Sequence, residues 1–331
     1  MKRLVAVKGV ALISVMLIVA LSSILATQMT ARLLLQMQRA DNISSNQQAY
    51  WYAMSAEAFA KRVLITSFEK ESKVTNLEQP WAQGENTYPV EFGEITGEIT
   101  DLQACFNLNA LRIEKAPQGQ NPPKESLEKK AFMELLLAID LENVSPFEAE
   151  YMAYALIDWL DEDSAIASAG GAEDNDYSAK EFAYLPANHY LASLKELRII
   201  EHFSIKTINA IKEYVCVLPH TNLHKININT LSTEHVELLM ALLTIPRDVA
   251  EQVLSAREGK GFATTDELFK LQVLTQYKIT DQQKEQFVVD SEYFKLKTTA
   301  SFNNSYFSLS SIMKVAENNQ VNVISRTIGR D

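Results

Sequence analysis

The sequence predicts an α+β protein: a long N-terminal helix, a small antiparallel sheet, and a large all-α insertion between the strands of that sheet. Three observations favour this class. Residues 10–29 are apolar and uncharged, and neither glycine nor proline follows before residue 73, so nothing ends the helix there. Strand-like sequence with turn glycines covers residues 88–102 and returns only at residue 293. The sequence between those stretches is mostly of helical pattern.

The first apolar run predicts a membrane-spanning helix. At about 1.5 Å per residue, residues 10–29 reach about 30 Å, the thickness of a bilayer core. A basic leader at 1–9 carries Lys2, Arg3 and Lys8, which favour a cytoplasmic N-terminus. A cleaved secretory signal is the alternative, but the available cuts put Ile24 or Met29 where a small residue is needed. We therefore expect a single-pass anchor.

Length, composition and net charge limit the number of domains and the classes of ligand. The 331 residues allow one or two domains besides the anchor, and 47% hydrophobic content is ample for a core. The net charge is −11 although the leader is basic. This balance disfavours nucleic acid or anionic lipid as the main ligand, because both are bound by clustered Lys and Arg. It is compatible with binding cations.

The rest of the rod and the first strands are expected at residues 30–109. The rod is amphipathic and should end near 72–76. Three adjacent aromatic residues, Tyr50, Trp51 and Tyr52, cannot all face one surface. We expect them to pack against the protein's own globular part, and contact with a neighbouring rod is the alternative.

Two helical subdomains are expected in the insertion. The first, at 110–218, has amphipathic helices at 126–141 and 148–160, with Ser145 and Pro146 as N-cap and first residue. One or two more helices are expected in 191–217. The second subdomain, at 219–290, has the pattern of a helix-hairpin-helix, or SAM-like, fold. Residues 291–331 should supply the last strands.

The helix-hairpin-helix pattern raises DNA binding as an alternative function. The DNA-binding form needs a glycine-rich hairpin whose backbone N–H groups approach phosphate. The hairpin at 244–248 has no glycine, Pro246 removes a donor and Asp248 repels phosphate. We expect no nucleic acid partner.

An acidic loop at residues 156–177 is the best candidate metal site. It contains seven carboxylates and no Lys or Arg, and Gly170 with Gly171 could fold its two acidic halves together. Calcium is the expected ion, because it takes six to eight oxygen ligands in loose geometry. Neither His nor Cys is near, which argues against zinc or copper, and a solvated acidic loop is the alternative. The expected ligand set is Asp161, Asp163, Glu173, Asp174, Asn175 and Asp176.

Cys105 and Cys216 flank the first helical subdomain. An exported segment reaches an oxidising compartment, where pairing is permitted. A disulfide would join the two ends of that subdomain, and two buried free thiols are the alternative. Catalysis has little support, because the five histidines are scattered and no nucleophile, P-loop or dinucleotide motif is present. We expect no enzyme, with an anchored hydrolase as a third hypothesis.

The leader resembles the class III signal of type IV pilins and type II secretion pseudopilins. The resemblance implies that a prepilin peptidase cuts between Gly9 and Val10 and methylates the new terminus. The fifth mature residue of that family is normally glutamate, whereas here it is Ser14. Lack of this glutamate is typical of the minor pseudopilin K family.

Motifs in the insertion also resemble the minor pseudopilin K family. They are Asp158, Trp159, Leu160 and Asp161 with the stretch 171–175, and the stretches 106–109, 193–197 and 225–230. The resemblance implies a pilin-like helix and sheet, calcium binding, and a pseudopilus tip formed with minor pseudopilins I and J. It also implies an inner-membrane anchor, a periplasmic C-terminal domain and contact with the inner-membrane assembly platform. A DNA-binding competence-type pseudopilin is the alternative.

Overall fold

The computed structural model describes residues 10–70, 73–113, 126–141, 144–257 and 259–329. Its dominant element is helix α1, Val10–Lys70, which is 61 residues long. The first part of α1 is exposed on all sides, and buried side chains begin at Ala49. The leader at 1–9, and therefore Gly9, lies outside the described residues.

The sheet is antiparallel and has five strands in the order β1-β2-β7-β8-β9. Outside this sheet, the described residues contain four short strands in two parallel pairs, β3 with β4 and β5 with β6. The strands are β1 Asn86–Val90, β2 Gly93–Asp101, β3 Phe106–Asn107, β4 Val215–Cys216, β5 Ile226–Asn227, β6 Phe287–Val288, β7 Tyr293–Phe302, β8 Ser305–Val315 and β9 Val321–Ile328. The expected order of helix, first strands, helical insertion and last strands is confirmed.

Helix α1 lies across one face of the sheet and contacts β7 and β8. Because side chains alternate along a strand, Phe294, Leu296 and Met313 all point to this face, where they meet Leu64 and Phe68 of α1. Fully burying one such side chain contributes about 1.5–3 kcal/mol. The second half of α1 is therefore part of the globular body.

In the described part of the insertion, eight further helices make up most of the structure: α2 Leu127–Ala138, α3 Pro146–Leu160, α4 Asp174–Ser178, α5 Ile205–Ile211, α6 Val236–Leu243, α7 Arg247–Ser255, α8 Thr265–Phe269 and α9 Asp281–Glu285. Helix α3 begins as expected, with a capping box between Ser145 and Glu148. Residues 191–217 hold a 3-10 helix, Leu194–Ile199, and the short α5. Helix α2 packs against both α3 and α6, so the two helical parts share one hydrophobic core.

The insertion is fixed to the sheet where it leaves and re-enters. A disulfide joins Cys105 to Cys216, with Cα atoms 5.8 Å apart, beside the paired strands β3 and β4. The buried carboxylate of Asp101, at the end of β2, accepts hydrogen bonds from the hydroxyls of Ser291 and Thr230, each at 2.5 Å. It also accepts one from the backbone N–H of Gln103 at 2.7 Å. Burial raises the pKa of Asp101 to about 6 despite these bonds.

Candidate metal centre

The centre lies where α3 ends and α4 begins. Asp158 sits in the last turn of α3, and Asp161 is the residue that ends the helix. The loop then turns back through Gly170 and Gly171, and Glu173 precedes the first residue of α4. The chain reversal brings the two acidic halves of the loop together, as the sequence suggested.

Three carboxylates converge at this point. One oxygen from each of Asp158, Asp161 and Glu173 lies within 4.8 Å of the other two. Asp158 is completely buried and Glu173 is 3% exposed. A Cβ atom on Gly171 would lie 2.1 Å from Oδ2 of Asp158, so only a residue without a side chain leaves room for this carboxylate.

The protein satisfies these carboxylates incompletely. Oδ1 of Asp158 accepts a hydrogen bond from the backbone N–H of Ala167 at 3.1 Å. The backbone N–H of Ala172 is near enough to Asp158 to lower its pKa. Even so, Oδ2 of Asp158 and both carboxylate oxygens of Glu173 are buried without a well-formed hydrogen bond among the described residues. Unsatisfied buried polar atoms are rare in proteins because each costs its desolvation energy, about 1–3 kcal/mol and more for a charge. Such atoms therefore indicate a ligand.

The pKa values of the clustered carboxylates also support a bound cation. Burial, together with the negative charge of Asp161, raises the pKa of Asp158 to about 7. Burial, together with the charges of Asp158 and Asp161, raises the pKa of Glu173 to about 7. Each carboxylate thus disfavours ionisation of its neighbours, and a bound cation would remove that penalty. The donors are all oxygen, which fits calcium and gives no preference for zinc or copper.

Of the ligands expected from the sequence, the structure brings Asp161 and Glu173 together with a further carboxylate, Asp158. The full expected ligand set stays a prediction. Asp163 accepts a hydrogen bond from the N–H of Ala165 and so shapes its own turn. Asp176 accepts one from the N–H of Glu173 and caps α4, whose first turn also holds Asp174 and the exposed Asn175.

Asp158 could have been found from its spacing. Residues three apart on a helix lie on the same face, so Asp158 and Asp161 at the end of α3 point toward one place. The expected set contained one of the two buried carboxylates of the cluster, Glu173, and omitted the other, Asp158. Burial at this position depends on tertiary contacts that the loop sequence does not encode alone.

Aromatic side chains pack around the centre. Trp159 contacts Tyr177 of α4 edge-to-face, with ring centroids 5.3 Å apart, and Tyr184 packs against Tyr177. Nε2 of His202 lies 3.0 Å from the carbonyl oxygen of Gly170, where the loop turns. These contacts fix α4 against α3 and thereby hold Glu173 near Asp158.

Among the described residues of the helix-hairpin-helix part, 219–257 and 259–290, there is no comparable cluster of carboxylates. The chain passes from α6 to α7 through Thr244 in a left-handed conformation, and Pro246 precedes α7. Arg247, the first residue of α7, forms an ion pair with Glu237 of α6. Its positive charge is therefore partly neutralised within the protein, and the geometry does not favour phosphate binding.

The N-terminal part of α1 has the length and composition of one membrane-spanning helix, and none of the residues in its apolar window is buried. Ser14 lies in this part. Its hydroxyl donates to the carbonyl oxygen of Val10 at 2.8 Å, one turn earlier in the same helix. Ser14 is thus satisfied within α1 and brings no charge.

Comparison with known proteins gives one consistent result. Two family models, both described as type II secretion system (T2SS), protein K, match residues 104–220 and 226–290. The type II secretion system protein K of Aeromonas hydrophila is 38% identical over 268 residues, which cover 78% of this chain and 80% of the relative. That of Pectobacterium carotovorum subsp. carotovorum is 31% identical over 326 residues, covering 97% of this chain and 96% of the relative.

A solved structure is also similar. It is the crystal structure of the GspK-GspI-GspJ complex from the type 2 secretion system of enterotoxigenic Escherichia coli. The matching chain superimposes with a TM-score of 0.79 at 29% sequence identity, and the match covers 88% of this chain and all of that one.

Proposed function

This chain belongs to the type II secretion system protein K family, and from that membership we propose that it caps the tip of a pseudopilus and helps to start its assembly. It is a minor pseudopilin whose long apolar helix fits single-pass membrane anchoring. In the proposal the anchor lies in the inner membrane and the residues after it lie in the periplasm. The alternative of a DNA-binding competence pseudopilin is not favoured by the comparisons.

The observation that carries the proposal is the match of 88% of this chain to the whole of a chain from a GspK-GspI-GspJ complex. We therefore assign the minor pseudopilins I and J as partners. The rod of α1, which is exposed and apolar in its first part, would lie beside theirs in the membrane. The inner-membrane assembly platform and the prepilin peptidase are further proposed partners, and cleavage between Gly9 and Val10 with methylation of Val10 remains a prediction.

Calcium is proposed for the cluster of Asp158, Asp161 and Glu173. The support is the set of buried carboxylate oxygens without well-formed hydrogen bonds and the raised pKa of two of the three groups. Bound there, the ion would neutralise the converging charges and tie α4 to the end of α3. Its role would be to stabilise the fold, which suits a family whose members are structural components. That the chain has no catalytic activity stays a prediction.

Complementation tests the proposed function directly. The chain, produced at full length with its cognate pseudopilins I and J, should be recovered from detergent-solubilised membranes together with both. A strain lacking the gene should accumulate secreted proteins in the periplasm, and the wild-type gene should restore their export. Normal export in the deletion strain, or absence of both partners from the purified chain, would contradict the proposal.

A further inference from the structure

A pocket of about 300 Å³ lies beside the rod, between α1 and the hairpin of β1 and β2. Its wall on the rod includes Ser55, Ala56 and Phe59. Its opposite wall includes Tyr88 of β1 and Ile95 of β2. Small residues on the rod leave the pocket open, and its lining is mostly apolar.

Large aromatic side chains around this pocket remain in contact with water. Phe59 is 56% exposed and Tyr88 is 48% exposed, and the two rings meet at the rim with centroids 5.9 Å apart. One turn before Ser55, Trp51 is 60% exposed, whereas its neighbours Tyr50 and Tyr52 pack against the sheet. Exposed apolar patches with aromatic residues at a pocket are typical of protein contact sites.

Three of the polar side chains that line the pocket are already hydrogen-bonded inside the protein. The Ser55 hydroxyl donates to the carbonyl oxygen of Trp51, and Nε1 of Trp81 donates to the side chain of Gln79, both at 2.8 Å. The side-chain amide of Asn86 donates to the carbonyl oxygen of Gly84. A small-molecule site normally offers a few polar groups that orient its ligand. This pocket instead suits an apolar side chain.

The form of the occupant follows from the surroundings. An added strand at the nearby sheet edge is disfavoured, because Pro89 of β1 has no N–H to donate. The pocket lies on the flank of α1, and Ser55 follows the apolar run by 26 residues, or about 40 Å of helix. A partner anchored by the same kind of helix would leave the bilayer beside α1, and a rod that follows this flank of α1 would reach the pocket.

We propose that the pocket receives a large apolar side chain from the rod of a neighbouring minor pseudopilin, with Trp51, Phe59 and Tyr88 around the contact. This inference rests on the proposed function and deepens it, because it assigns the surface through which the partners bind. The pocket beside Ala56 would thereby fix the lengthwise position of the neighbouring helix relative to α1.

Matched substitutions on α1 test the proposal in full-length chains produced with pseudopilins I and J. Ala56→Trp fills the pocket, whereas Ala58→Trp adds the same side chain at an exposed position outside the pocket lining. We expect Ala56→Trp to lower the recovery of at least one partner tenfold or more, and Ala58→Trp to change it less than twofold. Phe59→Ala should lower partner recovery in the same way as Ala56→Trp. Because Phe59 is exposed, its substitution should leave the fold intact, so this result cannot be explained by misfolding.

Photo-crosslinking identifies the occupant. A photoreactive phenylalanine analogue at position 88 should form an adduct with pseudopilin I or J, and Ala56→Trp should reduce that adduct. Recovery of both partners at wild-type levels with Ala56→Trp and Phe59→Ala would overturn the inference while leaving the proposed function standing. An adduct only with a second copy of this chain, or with no pseudopilin, would also overturn it. Failure of the wild-type chain to recover either partner would overturn both.

Discussion

The carboxylate of Glu57, in the C-terminal part of α1, forms a two-pronged ion pair with the guanidinium of Arg326 in the last strand. Nε and Nη2 of Arg326 donate to the two carboxylate oxygens at 2.7 and 2.8 Å, and the hydroxyl of Ser311 donates at 2.6 Å. Burial raises the pKa of Glu57, but these hydrogen bonds outweigh it and hold the pKa below its ordinary value. The pair therefore joins α1 to β9.

Arg326→Ala should therefore destabilise the protein. It leaves the buried Glu57 without its counter-charge, and we expect a loss of about 2 kcal/mol, less than for a fully buried pair because the arginine is half-exposed. Glu57 has a lowered pKa, so its contribution should be present at neutral pH and fall as pH drops through that pKa. Thermal unfolding of the detergent-solubilised chain measures the loss of stability in Arg326→Ala and, repeated at lower pH, the fall in the contribution of Glu57. The exposed Lys297→Ala in β7 is the control, and an equal loss there would contradict the specific role of the pair.

Sequence patterns predicted the elements better than their contacts. The uninterrupted helix and the glycine-bounded strands were visible, because helix ends and strand period are local properties. The pairing of Glu57 with Arg326 was not, because it joins residues 269 positions apart. The shared core of the two helical parts was missed for the same reason: α2 contacts α6 across more than 100 residues.

The metal centre shows the same limit at the level of single residues. The acidic loop and its double glycine predicted where a cation could bind. Which carboxylates converge depends on burial, and Asp158 and Glu173 are buried because α4 packs on Trp159 through Tyr177. Asp174 and Asp176 were expected as ligands together with Glu173, and the side chain of Asp176 accepts a hydrogen bond at the start of α4.

Removing calcium should lower the melting temperature of the wild-type chain. An ion that binds only the folded state stabilises by RT ln(1 + [L]/Kd), about 2.7 kcal/mol at a hundredfold excess over Kd. Asp158→Asn should lose most of this response to a chelator, because it removes a buried ligand charge. Calorimetric titration with calcium alone measures the binding itself.

Asp174→Asn is the matched control for the calcium experiment. It removes the same charge from the same loop, at a position outside the cluster of three carboxylates. We expect it to keep the chelator-sensitive shift in melting temperature. Loss of the shift in both variants would show that the overall charge of the loop matters rather than the cluster, and no binding in the wild type would refute the site.

Asp101 should make stability depend on pH between about 4 and 6. Its pKa is raised from 3.8 to about 6 in the folded state, so the folded chain holds the proton more tightly than the unfolded chain. The stabilisation is therefore full below the unfolded pKa and is lost as pH rises through the folded pKa, with a total of about 3 kcal/mol. Asp101→Asn removes this titration. The melting temperature of the wild type minus that of the variant should shrink from pH 4 to pH 6.5.

Comparison with Asp290→Asn, at an exposed position nearby, separates Asp101 from the other titrating groups. The wild-type and Asp290→Asn proteins should show parallel pH profiles, because they share every buried carboxylate. A constant difference between the wild type and Asp101→Asn at all pH values would mean that Asp101 acts only through its hydrogen bonds to Ser291 and Thr230.

Ser14 predicts where the chain sits in a filament. In a bundle of such rods each buried terminal amine needs a counter-charge, because an unpaired charge in hydrocarbon costs several kcal/mol. Ser14 has no charge, and its hydroxyl is bonded to its own helix. A subunit lacking the charge fits the end of the filament, where no further amine follows, and the bulky helical insertion fits the same place. We expect one copy per pseudopilus, at the tip, by immunogold labelling.

Ser14→Glu should still form the complex with pseudopilins I and J, because the globular part also specifies position. Leu17→Glu is the matched control: it places the same charge in the apolar run but not at the fifth mature position, and it should reduce membrane insertion. Labelling repeated along the shaft would contradict the tip position.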